Sequence, residues 1–363
     1  MSPVWPVCPR PQPEESLLSW FERIGREYDL SAAKLLASVG RGRAPVPKSN
    51  ARSQLQHLHE QRFREELAVM ARLPEPHEGA LTQRLNGWEL ETFASRVYCP
   101  HCLLQDLKLN RPAYGRQVWQ QAWYTLCAPH GTALRVRHGC PSILHRDWSR
   151  TQLVEDADLV AANQYRTLKV AREPELRCAL LGCLLEIERA VGAAISGVAP
   201  NPLLWGRLSA EDFLLVLRDV TTWSLTHFEP VRAWCAAEDL TIVEEQEGYG
   251  MVGRIRRLTP SDYPEKRTVR ALQDVVNPKV RGAALWVAHA MMSVIHPDAS
   301  DRPTGVSPQE RQATRLRRCV PEGRRWLADR QRHWPRTYLR SSWICVAVHE
   351  PSAKMSPSVH RQE

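Results

Sequence analysis

Apolar positions along the chain recur mostly at three- and four-residue intervals, the spacing of amphipathic helices. Near the N-terminus, Leu17, Trp20, Phe21 and Ile24 follow this spacing directly after the segment Pro11-Gln12-Pro13-Glu14-Glu15-Ser16. They predict a first helix with one face in a core, and Glu14 and Glu15 in its first turn would sit favourably beside the helix dipole. Asp29 and Ser31 offer caps for a second short helix, Ala32 to Val39, closed by Gly40. Two short helices with a tight connection resemble the opening of a helix-turn-helix. A basic, proline-bearing connector from Gly40 to Asn50 leads to a third helix, roughly Arg52 to Arg72, which Pro74 and Pro76 end.

After Trp148 the pattern is again almost wholly helical. Stretches near Asp156–Arg172, Leu176–Ile195, Ser209–Phe228 and Arg281–Ile295 keep the helical spacing. Prolines at 174, 200, 202, 230, 260, 264, 278 and 297 cut the region into short units, as in a compact bundle. His289, flanked by Ala288 and Ala290, reads as a satisfied core histidine, and the acids Glu186 and Glu188 read as a solvated face. Alternating β patterns are confined to Leu240–Arg257 and Ser342–Val348, and the polar end from Pro351 to Glu363 reads as a disordered tail.

Between these helical regions the pattern changes character. Cys99-Pro100-His101-Cys102 and Cys127-Ala128-Pro129-His130 form two knuckles with 24 residues between them. Each two-residue gap lets one turn aim both ligands at one ion, and three thiolates with one imidazole close a tetrahedron around Zn²⁺. A chance pairing of buried cysteines would leave Pro100, Pro129 and Gly131 without a role. A closed site of this kind has no open position for a water, so it is structural rather than hydrolytic. The segment between the knuckles carries Asp106, Lys108, Arg111, Arg116, Trp119 and Trp123. The two tryptophans, four apart, would share one helical face and pack around the metal.

The chain of 363 residues has a hydrophobic fraction of 43%, enough for packed cores, and no apolar run long enough to span a membrane. Its first residues lack the basic head and apolar stretch of a signal peptide, and its ten cysteines are too sparse for a disulfide scaffold. A cytoplasmic setting is therefore expected. The net charge of +9 favours a polyanionic partner. The surplus concentrates between Asp301 and Arg340, where eleven arginines face four acids. Arg311, Arg315, Arg317, Arg318, Arg324, Arg325, Arg332 and Arg336 are the candidate nucleic-acid or partner contacts, since guanidinium forks suit phosphates. There is no GxxxxGK[ST] loop, no GxGxxG after a strand and no HExxH, so no catalytic residues are assigned and no enzyme is expected.

Two motifs, in order, carry a resemblance. Pro13-x-Glu15-Ser16-Leu17-x-Ser19-Trp20 resembles the start of TniQ proteins. Cys99-Pro100-x-Cys102-Leu103-x-x-Asp106, then Trp119-x-x-x-Trp123, then Cys127-x-Pro129-His130-Gly131-x-x-Leu134 resembles their zinc signature. Many relatives place a further cysteine pair after that point. Here His138, Cys140 and His145 stand instead, a candidate second metal site or simply packed side chains.

The resemblance covers approximately residues 8 to 150; joined to the helical spacing of the rest, it gives a mainly α protein in four parts. Residues 1–90 would be the N-terminal helical segment of a TniQ domain, 91–150 its zinc-knuckle or zinc-ribbon module, 151–350 an α-helical C-terminal bundle and 351–363 the tail. It implies a non-catalytic adaptor of DNA transposition that recruits an AAA+ regulator and, through it, the transposase. Its target would be a DNA site or an RNA-guided Cascade complex, where relatives often act as homodimers. The alternative from another class is a stand-alone zinc-containing DNA-binding transcription regulator. A zinc enzyme would need a site with three protein ligands and a water.

Overall fold

The computed structural model describes residues 6–30, 35, 65, 69, 71, 87–90, 96–137, 153–154, 157, 174–227, 271–275, 278–292 and 329–335. Its elements are mainly helical. Helix α1 is Leu17–Glu27, and Leu17, Trp20, Phe21 and Ile24 are all buried along one face, as their spacing predicts. Ser16 caps it, its side chain accepting from the Ser19 amide at 3.1 Å. Glu14 and Glu15 therefore lie outside the first turn, and Glu14 has a left-handed backbone with φ 56°. Their expected interaction with the helix dipole gives way to other bonds, described below.

Asp29 closes α1 rather than opening a second helix. With φ 52° it occupies the left-handed position after the last turn, and the Leu30 amide donates to the Gly25 carbonyl at 2.8 Å. That contact explains Gly25: a β-carbon there would stand 2.7 Å from the Leu30 carbonyl oxygen. Of the predicted second and third helices only Leu35, Glu65, Val69 and Ala71 fall among the described residues, Leu35, Glu65 and Val69 as helix. The helix-turn-helix reading lies outside them.

Next come β1 (Arg96–Tyr98), α2 (Pro100–Lys108), β2 (Leu126–Cys127), β3 (Thr132–Ala133) and β4 (Arg135–Arg137). Strands β1 and β4 pair antiparallel with Val97 opposite Val136, and β2 and β3 form a hairpin with Cys127 opposite Thr132. Helix α2 ends as α1 does, with Asn110 at φ 54° and the Arg111 amide donating to the Asp106 carbonyl at 2.9 Å.

The later helices are α3 (Pro174–Ile195), α4 (Pro202–Trp205), α5 (Ala210–His227) and α6 (Pro278–Met292), close to three of the predicted stretches plus the short α4. The predicted helix from Asp156 to Arg172 is described only at Ala157, which is helical. Both predicted β segments and the tail lie outside the described residues. Among the described residues no helix is long and apolar enough to cross a membrane.

The chain divides into two compact units. The first comprises Met1–Leu181, Leu240–Lys266 and Arg270–Ala283, and the second Gly182–Asp239, Arg267–Val269 and Ala284–Glu363. In the second, Ile187, Val191, Trp205, Phe213, Val216, Leu217, Leu285 and Ala288 are buried. Within it, His289 Nε2 lies 2.9 Å from Glu186 Oε2, and Trp205 meets the imidazole edge-on at 5.1 Å. His289 is thus a satisfied core histidine, whereas Glu186 is engaged and Glu188 is buried, so these acids do not form a solvated face. Trp334, also buried, donates its indole N–H to Asp219 at 2.9 Å.

Candidate metal centre

Cys99 stands at the N-cap of α2 and Cys102 one turn in, with Pro100 at the first helical position. The first knuckle is therefore the start of a helix. The second is the β2–β3 hairpin: the amides of His130 and Gly131 both donate to the Cys127 carbonyl, at 3.1 and 2.7 Å. Gly131, at φ 59°, takes the left-handed conformation that turns the chain into β3.

These two local structures bring Cys99, Cys102, Cys127 and His130 together, their ligand atoms all within 4.8 Å of one another. The three cysteines are buried and His130 is half-buried. His130 presents Nδ1, which lies 3.6 Å from Cys99 Sγ, 3.4 Å from Cys102 Sγ and 3.3 Å from Cys127 Sγ. The Cys102 and Cys127 sulfurs are 3.5 Å apart. A tetrahedral Zn²⁺ would set sulfurs about 3.8 Å apart and sulfur and nitrogen about 3.6 Å apart. The four groups thus stand at spacings that small side-chain adjustments would bring to a tetrahedral ion. Thr132 Oγ1, 3.9 Å from Cys99 Sγ, and the His101 ring, 5.4 Å from that of His130, border the cluster.

The thiols are electrostatically suited to a cation. Hydrogen bonds from Cys102 and Cys127 hold the Cys99 thiol down at about 2, so one thiolate is readily formed. Its bond with Cys127 and then that with Cys99, together with burial and repulsion between sulfurs, push Cys102 well above the usual thiol range. The bond with Cys102 lowers Cys127, but its bond to Cys99 and burial outweigh this and push it up to about 12. A second and third thiolate need a positive charge among them, which a divalent metal supplies.

The cluster rests on a polar framework. Glu15, fully buried, accepts from Ser19 Oγ at 2.9 Å, from Arg23 Nε at 2.8 Å and Nη2 at 2.7 Å, and from the Gln12 amide at 2.9 Å. Ser19 Oγ in turn accepts from the Gly115 amide at 2.8 Å, and the Ser16 amide donates to the Gly115 carbonyl at 2.8 Å. The Gln117 amide donates to the Glu14 carbonyl at 2.9 Å. The N-terminal motif is thereby tied to the segment between the knuckles. Trp20 of the same motif donates its indole N–H to the Pro9 carbonyl at 2.6 Å.

The residues between the knuckles face inward more than their composition suggests. Asp106 is buried against Arg116 at 2.8 Å, and burial pushes its carboxyl up despite that partner. The Arg116 guanidinium also lies 4.5 Å from the centre of the Tyr114 ring and 4.9 Å from that of Trp119. Trp119 is buried in a 3-10 turn, Gln117–Gln120, while Trp123 follows in a non-helical turn. No single helix carries both tryptophans, because the chain turns to pair with residues 88–90: the Leu90 amide donates to Gln120 at 2.8 Å and the Ala122 amide to Trp88 at 2.6 Å.

Arg332 lies in the 3-10 turn Gln331–His333, exposed, 3.3 Å from Asp329. Arg311, Arg315, Arg317, Arg318, Arg324, Arg325 and Arg336, and His138, Cys140 and His145, lie outside the described residues. Sequence reasoning missed the buried pair Glu15–Arg23 and the buried Arg281. Eight residues separate the pair, an i, i+8 charge relation that could have been noticed, whereas Arg281 carries no local signal.

No curated protein and no solved structure gives a significant match. The TniQ family model matches residues 6–134, a span that begins just before the Glu15 motif, contains all four metal-ligand candidates and stops at Leu134. The cluster of three cysteines and one histidine thus lies inside a TniQ domain, a domain associated with DNA transposition, which occupies residues 6–134 of the chain.

Proposed function

We propose that this protein is a non-catalytic target-selection adaptor of DNA transposition. It links a target-recognition element, either an RNA-guided Cascade complex or a DNA site, to an AAA+ regulator and through it to a transposase. The observation that carries this reading is the TniQ match across residues 6–134, with both motifs inside it. The ion held by Cys99, Cys102, Cys127 and His130 is structural Zn²⁺: four protein donors fill a tetrahedron, and thiolate-rich sets with one imidazole suit this metal. Its role is to fix α2 and the β2–β3 hairpin as one platform. The arginine-rich segment from 311 to 336 contacts DNA phosphates or a partner, and the protein acts as a homodimer where it sits on Cascade.

The test is a pull-down of the tagged, zinc-loaded chain from cells expressing its neighbouring genes, with and without nuclease. Recovery of an RNA-containing Cascade complex selects the RNA-guided route. Recovery of the ATPase or transposase without RNA selects direct DNA targeting, whose affinity should fall steeply with salt as phosphates are neutralised. Recovery of neither contradicts the adaptor reading.

A further inference from the structure

We infer that residues 271–283, well beyond the family match, complete the metal-binding domain, and that Arg281 is a positioning residue for its metal site. These residues belong to the same compact unit as the cluster although more than a hundred positions separate them from it in the chain. Gln273 donates its side-chain amide to the Gly87 carbonyl at 2.7 Å. Gly87 leads into residues 88–90, which pair with residues 120–122. On that second strip lies the decisive contact. Arg281 has no exposed surface, and its Nη1 donates to two successive main-chain carbonyls, Gln121 at 3.1 Å and Ala122.

A guanidinium removed from water must meet acceptors, and the two hydrogens of Nη1 serve these two carbonyls. The carbonyls it meets open the turn that leads to Cys127. From there the Tyr124 amide bonds back to Gln121 at 3.1 Å, and Thr125 accepts from the Leu134 amide at 2.9 Å across the hairpin. Arg281 therefore fixes the approach of the second knuckle, while α2 delivers the first. Groups that orient metal ligands from behind set how tightly the metal is held. Val280 and Ala283, both buried, pack the same turns of α6.

This inference presupposes the metal reading, and the experiment separates the two. In the full-length chain, Arg281→Met should weaken zinc binding in a chelator competition by about ten- to a hundredfold. It should also shift the visible bands of the cobalt-substituted protein, which report ligand geometry, and Arg281→Lys should fall between. A folded Arg281→Met variant with wild-type affinity and wild-type cobalt bands overturns the inference. Hydrogen exchange on the unmodified chain decides if neither variant folds. Loss of protection at 278–283 together with 120–130 when zinc is stripped supports the inference, and unchanged protection at 278–283 overturns it. A wild-type chain that takes up neither zinc nor cobalt overturns the metal reading and this inference with it; uptake without any response at Arg281 overturns this inference alone.

Discussion

Glu15 shows how much a single side chain can be asked to do. Its two oxygens take four hydrogen bonds, including both donors of Arg23 that face it, and no water reaches it. Glu15→Gln keeps the shape but strands the Arg23 charge, and should destabilise the first unit by about 3–5 kcal/mol in denaturant unfolding. Gly25→Ala puts a methyl group against the Leu30 carbonyl and should cost about 1–3 kcal/mol by the same assay. The cluster of four candidate ligands was legible because knuckle spacing is a local property of the chain. The choice of Nδ1 on His130 was not, since it depends on how the hairpin meets α2. Glu15 was legible as a motif residue and misread in its role: its partners lie in the backbone before α1 and eight residues further on.

At the scale of elements, helix existence was easier to read than helix endings. The later helices α3, α5 and α6 fall within a few residues of their apolar periodicity. Asp29, in contrast, has a side chain suited to begin a helix and a backbone that ends one, and only the bond from Leu30 to Gly25 reveals which role it takes. Trp119 and Trp123 share helical spacing without a helix, because strand-like pairing with residues 88–90 claims that backbone.

The tie between α3 and α6 gives a pH prediction. Burial lowers His289 below the usual imidazole range, more than the neighbouring Glu186 raises it. Above about pH 6.5 both folded and unfolded chains hold this group neutral, so it contributes no slope. As the pH falls below that value, the unfolded chain takes up the proton first, and stability of the second unit should decline. Its denaturation midpoint should drop between pH 7 and 5, and His289→Gln should flatten that drop. An equal decline in the variant would place its origin elsewhere.

For the whole molecule, the proposed zinc site would link metal to fold. Zinc binding energy becomes folding energy for the residues it organises. Stripping the ion with a chelator should loosen the β2–β3 hairpin and α2, and with them the docking of α1, since Gly115 and Gln117 join the two. Limited proteolysis should then cut within residues 96–134 while α4 and α5 of the second unit persist; unchanged cleavage would argue that the sulfurs alone hold the fold. Such an architecture was only half legible in the sequence. The TniQ span announces itself through two dense motifs, whereas the contribution of residues 271–283 rests on side chains that reach back across the chain to backbone atoms, and backbone acceptors leave no residue signature.

The placement of the first knuckle has one more consequence. Three thiolates and one imidazole around a dication would leave a net charge of minus one at the N-terminal end of α2, where Cys99 caps the helix. The peptide dipoles of α2 would point their positive end at it, so the helix itself would act as a partial counter-ion to the site. A fourth thiolate at position 130 would double the excess charge at the same helix end, so an imidazole there would serve an electrostatic purpose as well as a coordinating one.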